Sequence, residues 1–208
     1  MPTPGPEGRF AHPATPSSLE RAAAALAEHG FATEILEDSA AARVRVRELI
    51  PEGASVFTGA SETLRLSGID DDLNASGRYD AIKPRLQRMD LVAQADEFRR
   101  LVATPDFVVG SVAAVTETGS IVVASGSGSQ LPAYAGGAGK AIWIVGAQKV
   151  VPDLDVALKR VEEHSLPLES ARTQAAYGRP SAINRLLILN AVQPGRISVL
   201  LLSEAIGF

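Results

Sequence analysis

The chain has no cysteine, three histidines and a single tryptophan. Lack of a thiol excludes disulfides, thiolate nucleophiles, persulfide carriers and all-cysteine iron–sulfur or zinc sites. His12, His29 and His164 lie far apart and offer no HExxH-like spacing, so no metal site is expected. No apolar run approaches the roughly 20 residues that span a bilayer, which makes a cytoplasmic location the default and a membrane an unsuitable partner. The 20 Lys+Arg against 24 Asp+Glu give a net charge of -4, with no dense basic run, so nucleic acid is a poor partner. The phosphate-loop pattern G-x-x-x-x-G-K-[ST], the dinucleotide fingerprint G-x-G-x-x-G and the hydrolase elbow G-x-S-x-G are all missing.

With 208 residues and 46% hydrophobic content, the chain suits one domain with a small extension. Residues 1–18, MPTPGPEGRFAHPATPSS, are rich in Pro, Gly and Ser, do not resemble a secretory leader, and read as a loosely ordered tail. The domain then covers 19–208. LERAAAALAEH at 19–29 is a helix stopped by Gly30, and a short strand is expected over 31–36. SAAARVRVRELI at 39–50 carries both helical and alternating spacing; the turn PEG and the better strand ASVFTG after it favour the helix. A helix starts near Glu62, the polar stretch 69–82 reads as surface, and a single helix is expected over 84–102 with Leu86, Met89, Val92, Ala93 and Leu101 facing the core.

Further strands are expected from Phe107, at 121–125, 140–146, 185–190 and 196–202, with the clearest helix at 153–163. Strands that alternate with helices and are continuously apolar imply a sheet covered on both faces, hence a three-layer α/β/α sandwich.

In open α/β sheets ligands sit beyond the carboxyl ends of strands, and three loops qualify. TGASET at 58–63 offers Thr58, Gly59, Ser61 and Thr63 for a phosphate or carboxylate, or else an ordinary turn and cap. SGSGSQ at 125–130 combines Gly126 and Gly128, which permit close approach, with Ser125, Ser127, Ser129 and Gln130 as hydrogen-bonding groups. TETGS at 116–120 places Glu117 beside Thr118 and Gly119; its carboxylate suits a nucleophile, a base or a substrate-orienting acceptor, or simply a cap that fixes the turn.

Other polar residues read more blandly. Asp106 belongs to a TPD turn, Asp70, Asp71 and Asp72 read as solvent-exposed, and Lys140 as a strand-end lysine; Arg65 is open to the same choice between surface and ligand. Trp143 reads as strand packing, while Tyr134 suits either packing or pocket closure.

VGSVAAVTETGSIVVASGSGSQLPAYAGGAGKAIWIVGAQKVVPDLDVAL, together with the ending GRISVLLLSEAIGF, resembles the LUD-domain family associated with lactate utilisation, the group containing LutC/YkgG-like proteins, in its short single-domain form. The resemblance covers about residues 19–208. It implies a fold of the NagB/RpiA/CoA transferase group, in which a GTGST-like loop binds phosphate and a Glu-containing turn supplies a covalent nucleophile. TGASET matches the first, with Ala60 in place of a small hydroxyl residue; TETG matches the second, with Thr118 where Asn is usual. Many short relatives carry cysteines in the segment that here reads YGRPSAINRL, which has none.

The leading expectation is a LUD-domain protein that supports lactate or related organic-acid utilisation and binds a small anionic metabolite or phosphate-containing cofactor, with Glu117 at the polar centre. The resemblance also implies an iron–sulfur or oxidoreductase protein partner, and a homo-oligomer is compatible with the sequence. No cofactor is assigned. The alternatives are an acyl- or CoA-transfer enzyme with Glu117 as nucleophile, and a noncatalytic assembly module of an oxidoreductase complex.

Overall fold

The computed structural model describes residues 8–90 and 92–208. Helix α1 (Pro16–Glu28) leads to β1 (Ala32–Leu36), α2 (Ser39–Leu49), β2 (Ser55–Thr58), α3 (Glu62–Ser67) and α4 (Ile69–Ala75). Next come β3 (Asp80–Ala81), α5 (Ile82–Leu86), α6 (Ala95–Ala103), β4 (Phe107–Gly110), β5 (Ala114–Thr116) and β6 (Ile121–Ser125). The chain closes with β7 (Lys140–Gly146), β8 (Val150–Val151), α7 (Leu154–Arg160), α8 (Leu166–Tyr177), β9 (Arg185–Leu189) and β10 (Ile197–Leu202).

Side-chain caps explain several starts. Asp38 accepts from the Ala41 amide at 2.8 Å, which settles residues 39–49 as a helix, and Asp153 caps α7 through the Val156 amide at 2.9 Å. Ser61 caps α3 by accepting from the Leu64 amide at 3.3 Å.

Six strands form a wholly parallel sheet in the order β1-β10-β7-β4-β2-β3. Along its central strand β7, Ala141, Trp143 and Val145 enter one apolar layer while Ile142 and Ile144 enter the opposite one. Helices cover both faces, so the unbroken apolar runs mark strands with no solvent side, and the fold is the expected α/β/α sandwich. A second sheet, β8-β5-β6-β9, is mixed: β5 runs parallel to β8 and antiparallel to β6, which is antiparallel to β9.

Four expectations change. The single helix over 84–102 is two helices, because the Asp90 carboxylate accepts from the amides of Val92 and Ala93 and interrupts the helical bonding. Val92 is therefore 91% exposed instead of facing the core. The apolar β9 lies at the edge of the small sheet, with Leu186 and Ile188 exposed. Of the expected tail, residues 1–7 lie outside the described residues, Phe10 is buried against the small sheet and α7, and α1 starts three residues before Leu19. Among the described residues no helix is long and apolar enough to cross a membrane.

Candidate functional site

In a parallel sheet the carboxyl ends of all strands share one edge, and the loops leaving β2, β4 and β7 meet there. With the loop after β6 and the turn joining α7 to α8, they enclose a cavity of about 570 Å³. Its walls include Gly59, Ser61 and Thr63 from the first loop, Ser111 after β4, and Ser125, Ser127, Ser129 and Gln130 from the serine–glycine loop. The two small-residue loops touch: a Cβ on Gly59 would stand 3.6 Å from that of Gln130. Two loops separated by more than sixty residues in sequence thus build one recess.

Lys149 lies at this wall although its side chain is 1% exposed. It ends a single 3-10 turn, Ala147–Lys149, between β7 and β8. Its Nζ donates to Thr63 Oγ1 and to Ser111 Oγ, both at 2.9 Å. Those hydroxyls spend their own protons on backbone carbonyls, Thr63 on Ile206 O at 3.4 Å and Ser111 on Ile144 O at 2.7 Å. No carboxylate pairs with Lys149 among the described residues. Burial, with the nearby Arg160 guanidinium adding to it, pushes the ammonium well below its ordinary pKa.

Arg160 is fully buried behind the wall. Its Nε donates to Gln148 O at 3.1 Å, and Nη1 donates to Ala113 O at 2.5 Å and Ser165 Oγ at 3.0 Å. Nη2 has no hydrogen-bond partner among the described residues. A π-helical turn, Val161–Ser165, brings Ser165 beside Arg160 and leaves Val161 and Ser165 on the cavity wall. His164, in the same turn, is also buried; desolvation first, then Arg160 and Lys149, push its pKa down to about 4. Three basic side chains thus share one region without an acid among them.

The acids that do line the cavity are already engaged. Glu62 holds Arg65 at 2.7 Å, and Glu169 holds Arg172 at 2.6 Å. Arg179, also on the wall, has no ion-pair partner among the described residues.

Gln148 ties the end of the chain to this floor. Its Nε2 donates to Ile206 O and Gly207 O, both at 2.9 Å, and its Oε1 accepts from the Ile206 amide at 3.2 Å. Gly207 has φ +68, and a Cβ there would fall 2.2 Å from Thr63 Oγ1, so only glycine lets the chain pass this close. Phe208 then reaches the cavity wall.

Within the serine–glycine loop, Ser125 Oγ accepts from the Gly128 amide at 2.8 Å and donates to Gln130 Oε1 at 3.1 Å. Gly126 lines the recess, whereas Gly128, with φ +79, faces Arg185 outside it. Thr58 lies beneath the first loop rather than on the wall: it donates to Asp70 Oδ1 at 3.1 Å and accepts from Asn74 at 2.9 Å. Asp70 also pairs with Lys83 at 2.7 Å, so it is a structural anchor and not the solvated acid expected from its polar run; Asp72 pairs with Arg43.

Glu117, Thr118 and Gly119 are elsewhere. None lines the cavity. The Glu117 carboxylate accepts from Arg21 Nε of α1 at 2.7 Å, and that bond holds its pKa below the usual carboxylate range despite partial burial. Thr118 shares a 2.9 Å hydroxyl contact with Thr116, and Gly119 O lies 3.0 Å from His29 Nδ1. A Cβ on Gly119 would come within 2.8 Å of Ala25 O, so this turn closes tightly on α1. Glu117 therefore does not join the recess that the other two loops build. Its turn follows the carboxyl end of β5, whereas Ala113 beside the other end of that strand lines the recess, and the turn is occupied by packing on α1.

Of the remaining expectations, Asp106 serves its turn by accepting from Ser55 N and Oγ, both at 2.9 Å. Tyr134 does both things open to it: it packs against Trp143 with ring centroids 5.2 Å apart, and it lines the cavity. Lys140 is exposed. Among the described residues there is no cluster of three metal-ligating side chains.

The LUD domain model matches residues 19–202. The chain belongs to the LUD-domain family. Among solved structures, this LUD protein is similar to a DUF162 family protein from Deinococcus radiodurans, with a TM-score of 0.55 and 13% identity, over 89% of this chain and 96% of that one. That likeness is one of fold. No curated protein matches the chain.

Lys149 and Arg160 were missed by sequence reasoning, although both left a trace. Lys149 stands in AQKVV, a lysine followed by two valines and shortly after a buried strand. Arg160 falls on the stripe that carries Ala157 and Val161, where a surface arginine does not belong.

Proposed function

We propose that this LUD protein binds a small organic anion in the cavity at the carboxyl edge of its parallel sheet, and that this binding serves the utilisation of lactate or a related organic acid. The observation that carries the reading is the set of basic groups at the recess, Lys149, Arg160 and His164, with no acid paired to any of them. Burial without a paired acid makes it costly for these groups to carry a proton, and a ligand bringing negative charge offsets that cost. Ser61, Ser111, Ser125 and Gln130 add hydroxyl and amide groups suited to carboxylate or phosphate oxygens.

Action beside an iron–sulfur or oxidoreductase partner belongs to the same proposal and is supported by family membership alone. Acyl transfer through Glu117 has less support, because its carboxylate is ion-paired outside the recess.

Calorimetry with lactate, a short dicarboxylate and a sugar phosphate tests the reading. Wild-type protein is expected to bind at least one of them, and Lys149→Met to weaken that binding by roughly 10- to 100-fold, the scale of a lost charged hydrogen bond. Equal affinity in wild type and Lys149→Met would overturn the assignment.

A further inference from the structure

The surroundings of Lys149 define more than a counter-charge. Its nitrogen has four tetrahedral positions: one holds Cε, and two hold the N–H bonds donated to Thr63 and Ser111. Both hydroxyl protons are committed to backbone carbonyls, so these two groups act toward Lys149 only as acceptors. The remaining corner of the nitrogen carries either a third N–H or a lone pair.

The charges around it choose between the two. Arg160 of α7 and His164 of the π-helical turn are basic, Tyr134 is held neutral by burial, and Glu62 and Glu169 are engaged by Arg65 and Arg172. Desolvation first and then Arg160 disfavour the ammonium, and with two N–H bonds spent on Thr63 and Ser111 the amine form keeps its lone pair on the remaining corner, at the wall of the recess.

We infer that Lys149 is a nucleophilic amine that forms an imine with a small carbonyl acid bound in this cavity. The inference rests on the reading of the recess as an organic-anion site. The lone pair of Nζ forms the C–N bond as the carbonyl π pair moves to oxygen. A proton passes from nitrogen to that oxygen, and loss of the oxygen as water, with the second N–H proton, gives C=N. The sum is amine plus carbonyl to imine plus water, with no oxidant or reductant.

The acid is required by the same electrostatics. Protonation of the imine creates a cation, and the acidic side chains on the wall, Glu62 and Glu169, are already held by Arg65 and Arg172, so the compensating charge travels on the ligand, close to its carbonyl carbon. A 2-oxo acid meets that demand, and Arg179 on the wall is free to hold the other end of a longer one.

The full-length chain carries its own references: its other lysines are Lys83, Lys140 and Lys159, of which Lys140 and Lys159 are exposed. Protein is incubated at about pH 6.5, far below the ordinary amine pKa of lysine in solution, with glyoxylate and cyanoborohydride, and in parallel with acetaldehyde. Adducts are located by peptide mass mapping, and calorimetry with lactate, an acid without a carbonyl, is run beside it. The expected result is reduction onto Lys149 at least about tenfold faster than onto Lys140 or Lys159, with glyoxylate well ahead of acetaldehyde.

Equal labelling of Lys149 by both carbonyls would overturn the acid requirement. Lactate binding without a Lys149 adduct would overturn the amine chemistry and leave the anion site standing. Absence of both would overturn the two readings together. Wild-type mapping needs no variant; Lys149→Met, which keeps the length of the side chain without an amine, is expected to lose the adduct while remaining folded.

Discussion

Two polar centres in this molecule face opposite chemical situations. At the turn after β5, Glu117 meets Arg21 at 2.7 Å, so acid and base satisfy each other on the flank of α1. At the floor of the cavity, Lys149, Arg160 and His164 lie together with hydroxyls and carbonyls, and no acidic side chain is paired to them among the described residues. A sequence scan favours the first, because a lone carboxylate in a glycine-containing turn is conspicuous. The second carries more stored electrostatic cost, and that cost is where a ligand gains its affinity.

Arg160→Met breaks the cavity floor most severely. It leaves the carbonyls of Gln148 and Ala113 and the Ser165 hydroxyl without their buried donor, and a loss of about 3–5 kcal/mol in denaturant unfolding is expected. A loss under about 1 kcal/mol would show that the arginine is as replaceable as a surface charge.

His164 gives an intermediate effect that depends on pH. Its folded pKa of about 4 lies below the ordinary 6.5, so between those values the unfolded chain binds the extra proton. The stability this group contributes is complete above about pH 6.5 and is lost as pH falls toward 4. Melting curves of His164→Gln are therefore expected to decline less than wild type across that interval; parallel declines would contradict the burial argument.

Glu117→Gln is the mildest change. The pair it breaks joins an exposed arginine to a partly exposed acid, so melting is expected to drop by no more than about 2–4 °C, with ligand affinity unchanged. Loss of ligand binding in this variant would restore Glu117 to the centre of the site and dissolve the contrast.

The layered fold was readable because central strands buried on both faces are apolar at nearly every position, as β7 and β10 are apart from Lys140 and Ser198. Edge strand β9 is nearly as apolar with three of its five residues exposed, so composition alone did not reveal that it belongs to a second sheet. In the site, glycine and serine marked both loops that build the recess. The Lys149 amine escaped notice for a physical reason: its significance lies in the absence of a nearby carboxylate, and absence in space leaves no mark along a chain. The split of the expected 84–102 helix was likewise hidden in a single aspartate, Asp90, whose competition with the backbone depends on local conformation.

The wide turn between α7 and α8 has a further consequence. Advancing five residues per hydrogen-bonded ring instead of four sets the angular phase of everything downstream, since each residue of an α-helix turns by about 100°. Removing one residue from Val161–Ser165 would swing Glu169, Arg172 and Thr173 around the helix axis and away from the recess, with no change in their identity. The length of this segment is thus a gauge that aligns one wall of the chamber with the other, and a deletion there would be felt where a substitution would pass.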